Sequence, residues 1–425
     1  MTREQTESAQ RAQLLRLLAA VQGSNPFYQE KLRVGCSPGV SASLAELLQS
    51  LPFTSKLEIA EDQRCNPPFG TNLTCPPDAY VRSHQTSGTS GRPIVWLDTP
   101  VSWNWMLDRW LEVYESTGVE KGSVIYFAFS FGPFLGFWTA FEAASRHLHA
   151  RCLAGGGLSS SERLRQIIDH KADTLCCTPT YALHLSEKAR QEGIDLSRSQ
   201  VRRIIVAGEP GGSVPTTRAR IESAWPGSRV WDHHGMTEIG PVTRPCPALR
   251  DVLHVMEQGF IAEILNPNTL RPCAENELGE LILTNLGRTG SPLIRYRTGD
   301  LVEMPKLARC ECGTWDLALR GGIRGRTDDM VVVRGVNLYP SGVEAVIRSV
   351  PRAGEYQVEL ADKSDMIEVR LRVEPSIEGA SAGLAEAVAK AFQDAFLLRA
   401  EVRLVPFGSL PRYEHKARRW SRTRM

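Results

Sequence analysis

Three short stretches of the chain have residue types and spacings that could hold a nucleotide. In the first, Thr86, Ser87, Gly88, Thr89, Ser90 and Gly91 run into Arg92 and Pro93. Glycines let the backbone approach a bulky anion and expose successive N–H groups, hydroxyls donate to phosphate oxygens, and Arg92 adds positive charge, so the loop suits a polyphosphate. It lacks the Gly-Lys-Ser/Thr ending of a Walker A loop, and no strand leads into a complete dinucleotide GxGxxG. The plain alternative is a flexible Ser/Gly linker. In the second stretch, Val230 and Trp231 enter Asp232, His233, His234, Gly235, Met236, Thr237 and Glu238. Thr237 offers a hydroxyl to a phosphate and Glu238 a carboxylate to Mg²⁺, the hard cation that travels with ATP; a helix start capped by Thr237 is the alternative. The third stretch is Arg295, Tyr296, Arg297, Thr298, Gly299 and Asp300, where a carboxylate after a glycine turn suits two ribose hydroxyls or belongs to an ordinary turn.

A fourth set suits a metal. Cys246 and His254 are followed by Cys310 and Cys312, the latter two in a Cys-x-Cys-Gly knuckle closed by Gly313. Three thiolates and an imidazole make a closed tetrahedral Zn²⁺ site with a structural role; separate buried thiols and a solvated histidine are the alternative. The remaining cysteines are scattered, apart from adjacent Cys176 and Cys177, and read as reduced buried thiols. No Ser/His/Asp triad motif is present, so no covalent enzyme intermediate is indicated.

These loops need a scaffold. Short apolar runs at 124–127, 174–177, 204–206 and 230–231 each end in a Gly/Pro/Ser/Thr or His-Gly loop, with helical patterns between them. Strands alternating with helices imply a parallel sheet whose ligand loops gather at the carboxyl ends of the strands. Leu14, Leu17, Leu18 and Val21 keep helical spacing, so an amphipathic helix is expected over 5–22. After about Arg326 the texture changes to a strand at 330–333, a helix at 341–350, a hairpin of 356–360 with 367–373, a helix at 384–396 and a strand at 402–405. That is a compact α+β unit large enough to fold separately. The expected class is therefore α/β: a large N-terminal domain, residues 1–327, with mixed and parallel sheets and helices, and a small α+β domain, residues 328–425. With 425 residues, a net charge of +2, 42% hydrophobic and 23% charged residues, the composition excludes disorder, collagen-like repeats and a strong field toward nucleic acid or an anionic membrane. Arg16 interrupts the only apolar run near the N-terminus, and no stretch reaches the roughly 20 apolar residues of a membrane span, so a cytoplasmic protein is expected.

Taken together, the motifs make the chain resemble the adenylate-forming ligases (acyl-CoA synthetases, peptide-synthetase adenylation domains and luciferases), and among them the shorter phenylacetate–CoA ligase group. The resemblance rests on Leu51-Pro52-Phe53-Thr54-Ser55-Lys56, Asn66-Pro67-Pro68-Phe69-Gly70, the loop from Thr86 to Pro93, Ala207-Gly208-Glu209-Pro210, DHHGMTEIGP beginning at Asp232, YRTGDL beginning at Tyr296, GRTDDMVVVRGVNLYP beginning at Gly325 and LPRYEHKARR beginning at Leu410, all in the family's order. It implies that the loop of Thr86 to Gly91 holds the β- and γ-phosphates of ATP, Thr237 the α-phosphate and Glu238 the Mg²⁺. Gly208, Glu209 and Pro210, with Asp232, His233, His234, Gly235 and Met236, would surround the nucleotide; His234 stands where relatives usually carry Tyr. Asp300 and Arg326 would fix the ribose. Asp328 matches the hinge about which a mobile C-terminal domain rotates, and Arg334, Gly335, Val336 and Asn337 would then line the thiol path. Lys416 matches the lysine that bridges the attacking carboxylate and the ribose, although relatives usually have Gly where this chain has His415. The alternative for that tail is a solvated basic end, since six Arg and Lys side chains crowd between Arg412 and Arg424.

The resemblance also places the acid pocket beside the loop after the 124–127 strand, lined by Phe131, Gly132, Pro133 and Gly136 together with Gly208 and Gly235. A loop with four phenylalanines, a tryptophan and close-approach glycines suits a flat aromatic ring, with about half of the aromatics packing the core. Ser130, His147 or His149 would read an amino or hydroxyl substituent. Three readings follow: ATP-dependent ligation of an aromatic acid of the phenylacetate, benzoate or anthranilate type to coenzyme A; the same activation with transfer to the phosphopantetheine of an acyl carrier protein; or a non-catalytic relative that binds nucleotide or protein. Thr237, Glu238, Asp300 and Lys416 speak against the last. No nucleic-acid or membrane partner is expected, and a homodimer is usual among close relatives.

Overall fold

The computed structural model describes residues 1–33, 42–86, 93–334, 336–363, 366–377, 381–413 and 417–424. Its centre is a five-stranded, all-parallel sheet in the order Arg151–Ala154, Val124–Phe127, Thr174–Cys177, Arg203–Val206, Arg229–Asp232. Both faces are buried, which is why these strands read as continuous apolar runs. Ile125, Phe127, Cys176, Ile205 and Trp231 pack on one side against the helix Pro100–Thr117, and Tyr126, Leu175, Cys177, Ile204, Val206 and Val230 on the other against Ser160–Asp169, Pro179–Gln191 and Pro215–Ala224. The crossover helices start where the sequence caps them. Thr99 and Thr178 accept the N–H groups of Ser102 and Tyr181, each with proline at the first helical position, and Gly118 closes Pro100–Thr117 in the left-handed region.

Residues 243–326 add what the sequence reading left blank. An antiparallel sheet orders Phe260–Leu265, Leu278–Asn285, Tyr296–Glu303 and Gly325–Arg326, and a three-stranded sheet joins Thr243–Pro245, Val252–Val255 and Ala318–Arg320. The opening helix, Arg3–Ser24, lays Leu14, Leu17, Leu18 and Val21 against Ile261, Leu286 and Ile294 of this region.

A separate C-terminal domain has its own apolar core, built entirely from residues at or beyond Val331. Its sheet runs Ala400–Leu404, Met366–Pro375, Ala353–Lys363, Trp420–Arg424, with the helices Pro340–Ser349 and Leu384–Phe396 packed on it. The expected elements are all present within a residue or two, except that the hairpin strands run longer and the basic tail forms a strand parallel to Ala353–Lys363. Among the described residues no helix is long and apolar enough to cross a membrane, and all nine described cysteines are free.

One ion pair spans the large domain. Arg288 and Asp98, both fully buried, meet through two N–H···O bonds of 2.7 Å, and the third side of the guanidinium donates to the Thr237 carbonyl at 2.6 Å. Removing one partner of such a pair strands the other charge in an apolar interior. Arg288→Leu is therefore expected to lower large-domain stability by about 3–5 kcal/mol in urea denaturation, with Asp98→Leu added to it recovering part of the loss. An unchanged midpoint for Arg288→Leu would show the pair to be dispensable.

Candidate active site

The strand Arg229–Asp232 ends at the sheet's carboxyl edge and delivers the Asp232 to Glu238 segment there. The Asp232 carboxylate accepts the Ser213 hydroxyl and the His233 N–H, and burial raises its pKa. The two histidines then part. His233 turns inward: its Nδ1 sits 2.7 Å from the Thr243 carbonyl and its ring packs 4.4 Å from Trp110, so its imidazole is part of the core. His234 turns outward, its N–H on the Thr243 hydroxyl and its Nε2 3.2 Å from Asp300 Oδ2. A chain leaving a strand still alternates sides, and that places two adjacent identical residues on opposite faces.

Gly235 and Met236 pair with Gly240 and Pro241 in a tight two-residue ladder, where a Cβ on Gly235 would come within 2.9 Å of the Gly240 carbonyl. This turn presents Thr237, whose carbonyl is held by Arg288, and Glu238, a buried carboxylate that accepts the Tyr296 hydroxyl at 3.1 Å. A buried carboxylate with a single hydroxyl donor on Oε1 is a hard-oxygen ligand of the kind Mg²⁺ takes.

Asp300 reaches the same place from the antiparallel sheet. It sits opposite Arg326 in the strand register, and Arg326 Nη1 donates to its Oδ1 at 2.7 Å while Nε and Nη2 hold Asp328. The nearby carboxylates raise the pKa of Arg326. Asp328 itself is exposed, at the start of the turn into the C-terminal domain. Beyond it, Arg334 is exposed with φ +50° and Val336 is half-buried, the two flanking the tip of the hairpin Val331–Val333 with Val336–Leu338.

Of the phosphate loop, only Thr86 falls within the described residues; Ser87, Gly88, Thr89, Ser90 and Gly91 lie outside them, as do Gly335 and Lys416. Thr86 is buried and pairs with Ile94 through backbone and hydroxyl, so it closes the hairpin from which the loop springs. The aromatic loop is tied to that hairpin: the Gln85 N–H donates to the Pro133 carbonyl at 2.8 Å. Phe131, with φ +48°, packs edge-on to Trp138 at 4.9 Å and touches Phe127, Phe129 and Phe141, and the Trp138 indole N–H caps the Gly132 carbonyl. A side chain on Gly136 would strike the Phe129 ring. Phe137 and Leu135 belong to the core, whereas His147 and His149 are exposed and do not reach the aromatic loop's cluster.

Gly208, at φ +93°, and Pro210 are exposed at the sheet edge, but the Glu209 carboxylate turns to the helix Pro179–Gln191 and the C-terminal tail, accepting the N–H groups of Thr180 at 2.8 Å and Ala417 at 2.9 Å. The sequence reading also missed Arg288, Tyr296 as a partner of Glu238, and the burial of Arg419. No local signal marks them: Arg288 lies between Gly287 and Thr289, Tyr296 between two arginines and Arg419 in the basic tail.

The four metal-type residues come together. Every pair of their ligand atoms lies within 4.8 Å, with Cys246 Sγ 3.7 Å from Cys310 Sγ and Cys312 Sγ 3.4 Å from His254 Nε2. Tetrahedral Zn²⁺ with bonds of about 2.3 and 2.0 Å has edges of roughly 3.8 and 3.5 Å, so the set fits the ion. His254 Nδ1 meets the Asp316 carbonyl at 3.1 Å, which fixes the ring with Nε2 toward the sulfurs.

Comparison with known proteins accounts for this arrangement. The model of the AMP-binding enzyme family matches residues 39–287, and that of the AMP-binding enzyme C-terminal domain matches 335–424. This chain belongs to the AMP-binding enzyme family. It is an AMP-forming acid–CoA ligase. Phenylacetate-coenzyme A ligase of Thermus thermophilus is 29% identical over 97% of this chain and 95% of its own length, and that of Aromatoleum evansii 32% identical over 87% and 82%. A solved 2-hydroxyisobutyryl-CoA ligase in the postadenylation state, with R3-HIB-AMP, superposes with TM-score 0.93 at 28% identity over 100% of this chain and 90% of that one. The same ligase with 2-HIB-AMP and CoA in its thioesterification state gives 0.74 over 100% and 91%, at 29% identity. This ligase thus superposes more closely on the postadenylation structure than on the thioesterification one.

Burial pushes the His233 pKa down from 6.5 to about 3. The folded ligase keeps this ring neutral while the unfolded chain takes up a proton below about pH 6.5, so stability falls as pH drops from 6.5 toward 3, by up to about 1.4 kcal/mol per unit. The stability cost of His233→Gln, measured by urea denaturation, is expected to be about 2 kcal/mol smaller at pH 5 than at pH 7.5. A cost independent of pH would mean that burial leaves the ring's pKa where it is in the unfolded chain.

Proposed function

We propose that the acid activated by this ligase is aromatic, of the phenylacetate, benzoate or anthranilate type, and that the acyl group passes to the thiol of coenzyme A. The observation that carries the reading is the aromatic loop of Phe129, Phe131 and Trp138, bonded through Pro133 to the hairpin that bears the phosphate loop. A flat ring set among edge-on rings lies beside the place where its carboxylate would meet the α-phosphate. The phenylacetate–CoA ligases among its relatives support the same acid class, and every relative named above uses CoA, which favours CoA over a carrier-protein arm.

In this reading the carboxylate oxygen attacks the α-phosphorus of ATP and pyrophosphate leaves; the CoA thiol then attacks the carbonyl of the acyl-adenylate and AMP leaves with the bonding pair. Residues 86–91 hold the β- and γ-phosphates, Thr237 the α-phosphate, Asp300 and Arg326 the ribose, and Gly208, Asp232 and His234 border the base. Mg²⁺ on Glu238 would offset phosphate charge. Lys416 aligns the attacking oxygen with the ribose, an effect of orientation and charge. Asp328 is the hinge and marks the domain boundary; rotation about it brings Arg334, Gly335 and Val336 to the thiol path.

Cys246, His254, Cys310 and Cys312 hold Zn²⁺ as a structural staple. Metal analysis of protein purified without chelator is expected to find about one zinc per chain, and Cys310→Ser with Cys312→Ser to lose it and lower the melting temperature. Zinc-free wild-type protein with an unchanged melting temperature would remove the site.

Carboxylate-dependent ATP–pyrophosphate exchange tests the substrate over phenylacetate, benzoate, anthranilate, hydroxybenzoates, 2-hydroxyisobutyrate and a fatty acid. Exchange with an aryl acid, giving AMP and aryl-CoA when CoA is added, is the expected result. Exchange with only 2-hydroxyisobutyrate or the fatty acid would overturn the aromatic assignment, and exchange without turnover on CoA would overturn the acceptor.

A further inference from the structure

The geometry points to Glu209 as a positioning residue of the adenylation step, one that docks the C-terminal tail on the core so that the lysine beside the docking point reaches the nucleotide. The inference rests on the function proposed above. Each oxygen of the carboxylate has one partner: Oε1 takes the N–H of Thr180, in the first turn of the core helix Pro179–Gln191, and Oε2 takes the N–H of Ala417 in the tail. First-turn N–H groups have no partner within their helix and favour negative charge, so the carboxylate is held firmly and presents its second oxygen outward. Both bonds run to an ionised acceptor, which makes them stronger than neutral ones.

The neighbouring contacts converge on the same helix. Two residues beyond Ala417, the Arg419 guanidinium donates to the Thr180 hydroxyl at 3.2 Å while held in the small domain by Glu344 and Glu355. On the other side, Arg412 makes two bonds of 2.8 Å to Glu187, two turns further along the helix, and one of 2.7 Å to the fully buried Glu374 of the small domain. The tail is thus bonded to the core at Arg412 on one side of residues 414–416 and at Ala417 and Arg419 on the other, and Glu209 holds the nearer of the latter two. The contact joins core to small domain in a structure that superposes more closely on the postadenylation ligase than on the thioesterification one, so its effect is assigned to the first half-reaction.

The test uses the full-length enzyme with phenylacetate, or the panel acid that drives exchange. Glu209→Ala is expected to lower kcat of ATP–pyrophosphate exchange about 10- to 100-fold with KM for ATP within about twofold, while thioester formation from supplied acyl-adenylate and CoA falls less than about threefold. Glu209→Gln, which keeps the acceptor and loses the charge, should lie between. Ala417→Pro removes the N–H and leaves Glu209 intact, so it should reproduce the split even where Glu209→Ala folds poorly. A raised KM for ATP at unchanged kcat would return Glu209 to the adenine, and equal losses in both half-reactions would make it merely structural; either overturns the inference. Lys416→Ala run in parallel separates the two levels: normal exchange there removes the tail from adenylation altogether, whatever Glu209 does.

Discussion

The contact on which the site depends is the buried guanidinium of Arg288. It comes from the antiparallel half of the large domain, yet its partners are Asp98, on the strand that leaves the phosphate loop, and the carbonyl of Thr237, in the turn after the last parallel strand. A fully buried arginine is tolerable only with its donors satisfied in a fixed geometry, and its planar fork leaves little freedom for the elements that satisfy it. Three parts of the chain that each carry a nucleotide ligand in the proposed function are registered to one another by a single side chain that touches no substrate.

Around that point the two sheet types do different work. The parallel sheet supplies loops at one edge, because every right-handed crossover returns the chain to the same end. The antiparallel sheet supplies reach: a register pair across two strands sets Arg326 against Asp300, and His234 meets Asp300 from the opposite sheet. The carboxylate proposed for the ribose is thus already flanked by two nitrogen-bearing side chains. In the proposed function, His234 would set a flat ring at the base and turn a ring nitrogen toward the carboxylate assigned to the ribose.

How much was legible follows from the range of each interaction. Strands buried on both faces and a small domain with its own core declare themselves within ten or twenty residues, and those expectations stand. The cysteine and histidine set was legible because ligand chemistry is specific even across a 64-residue gap. Arg288 was not, because nothing local distinguishes it from a surface arginine; its partner Asp98 is 190 residues away. The antiparallel strands were passed over where one face is partly polar and the alternation is broken by a bulge between Glu280 and Ile282. For His233 and Glu209 the sequence is silent on direction for a different reason: a motif fixes which residues gather in a place, whereas the direction of each side chain is set by backbone geometry and by the partners that packing brings near.

The tail carries the same lesson into motion. Read as sequence, its arginines could have been a solvated basic end; in the fold Arg419 is buried among carboxylates, and Arg412 bridges the two domains. What joins the domains there is polar: Glu209 with Ala417, Arg412 with Glu187, and Arg220, which caps the end of the small domain's first helix through the carbonyls of Val350 and Ala353. Burial lowers the Arg220 pKa to about 10, with Arg348 adding repulsion, so this cap is held against a real desolvation cost. The apolar cores, by contrast, are not shared. Polar contacts can be exchanged for water at small net free energy, whereas a shared apolar core could not be opened without exposing it. If the tail acts as proposed, held in place for one half-reaction and withdrawn for the next, it needs an interface of the first kind, strict in geometry and cheap to leave.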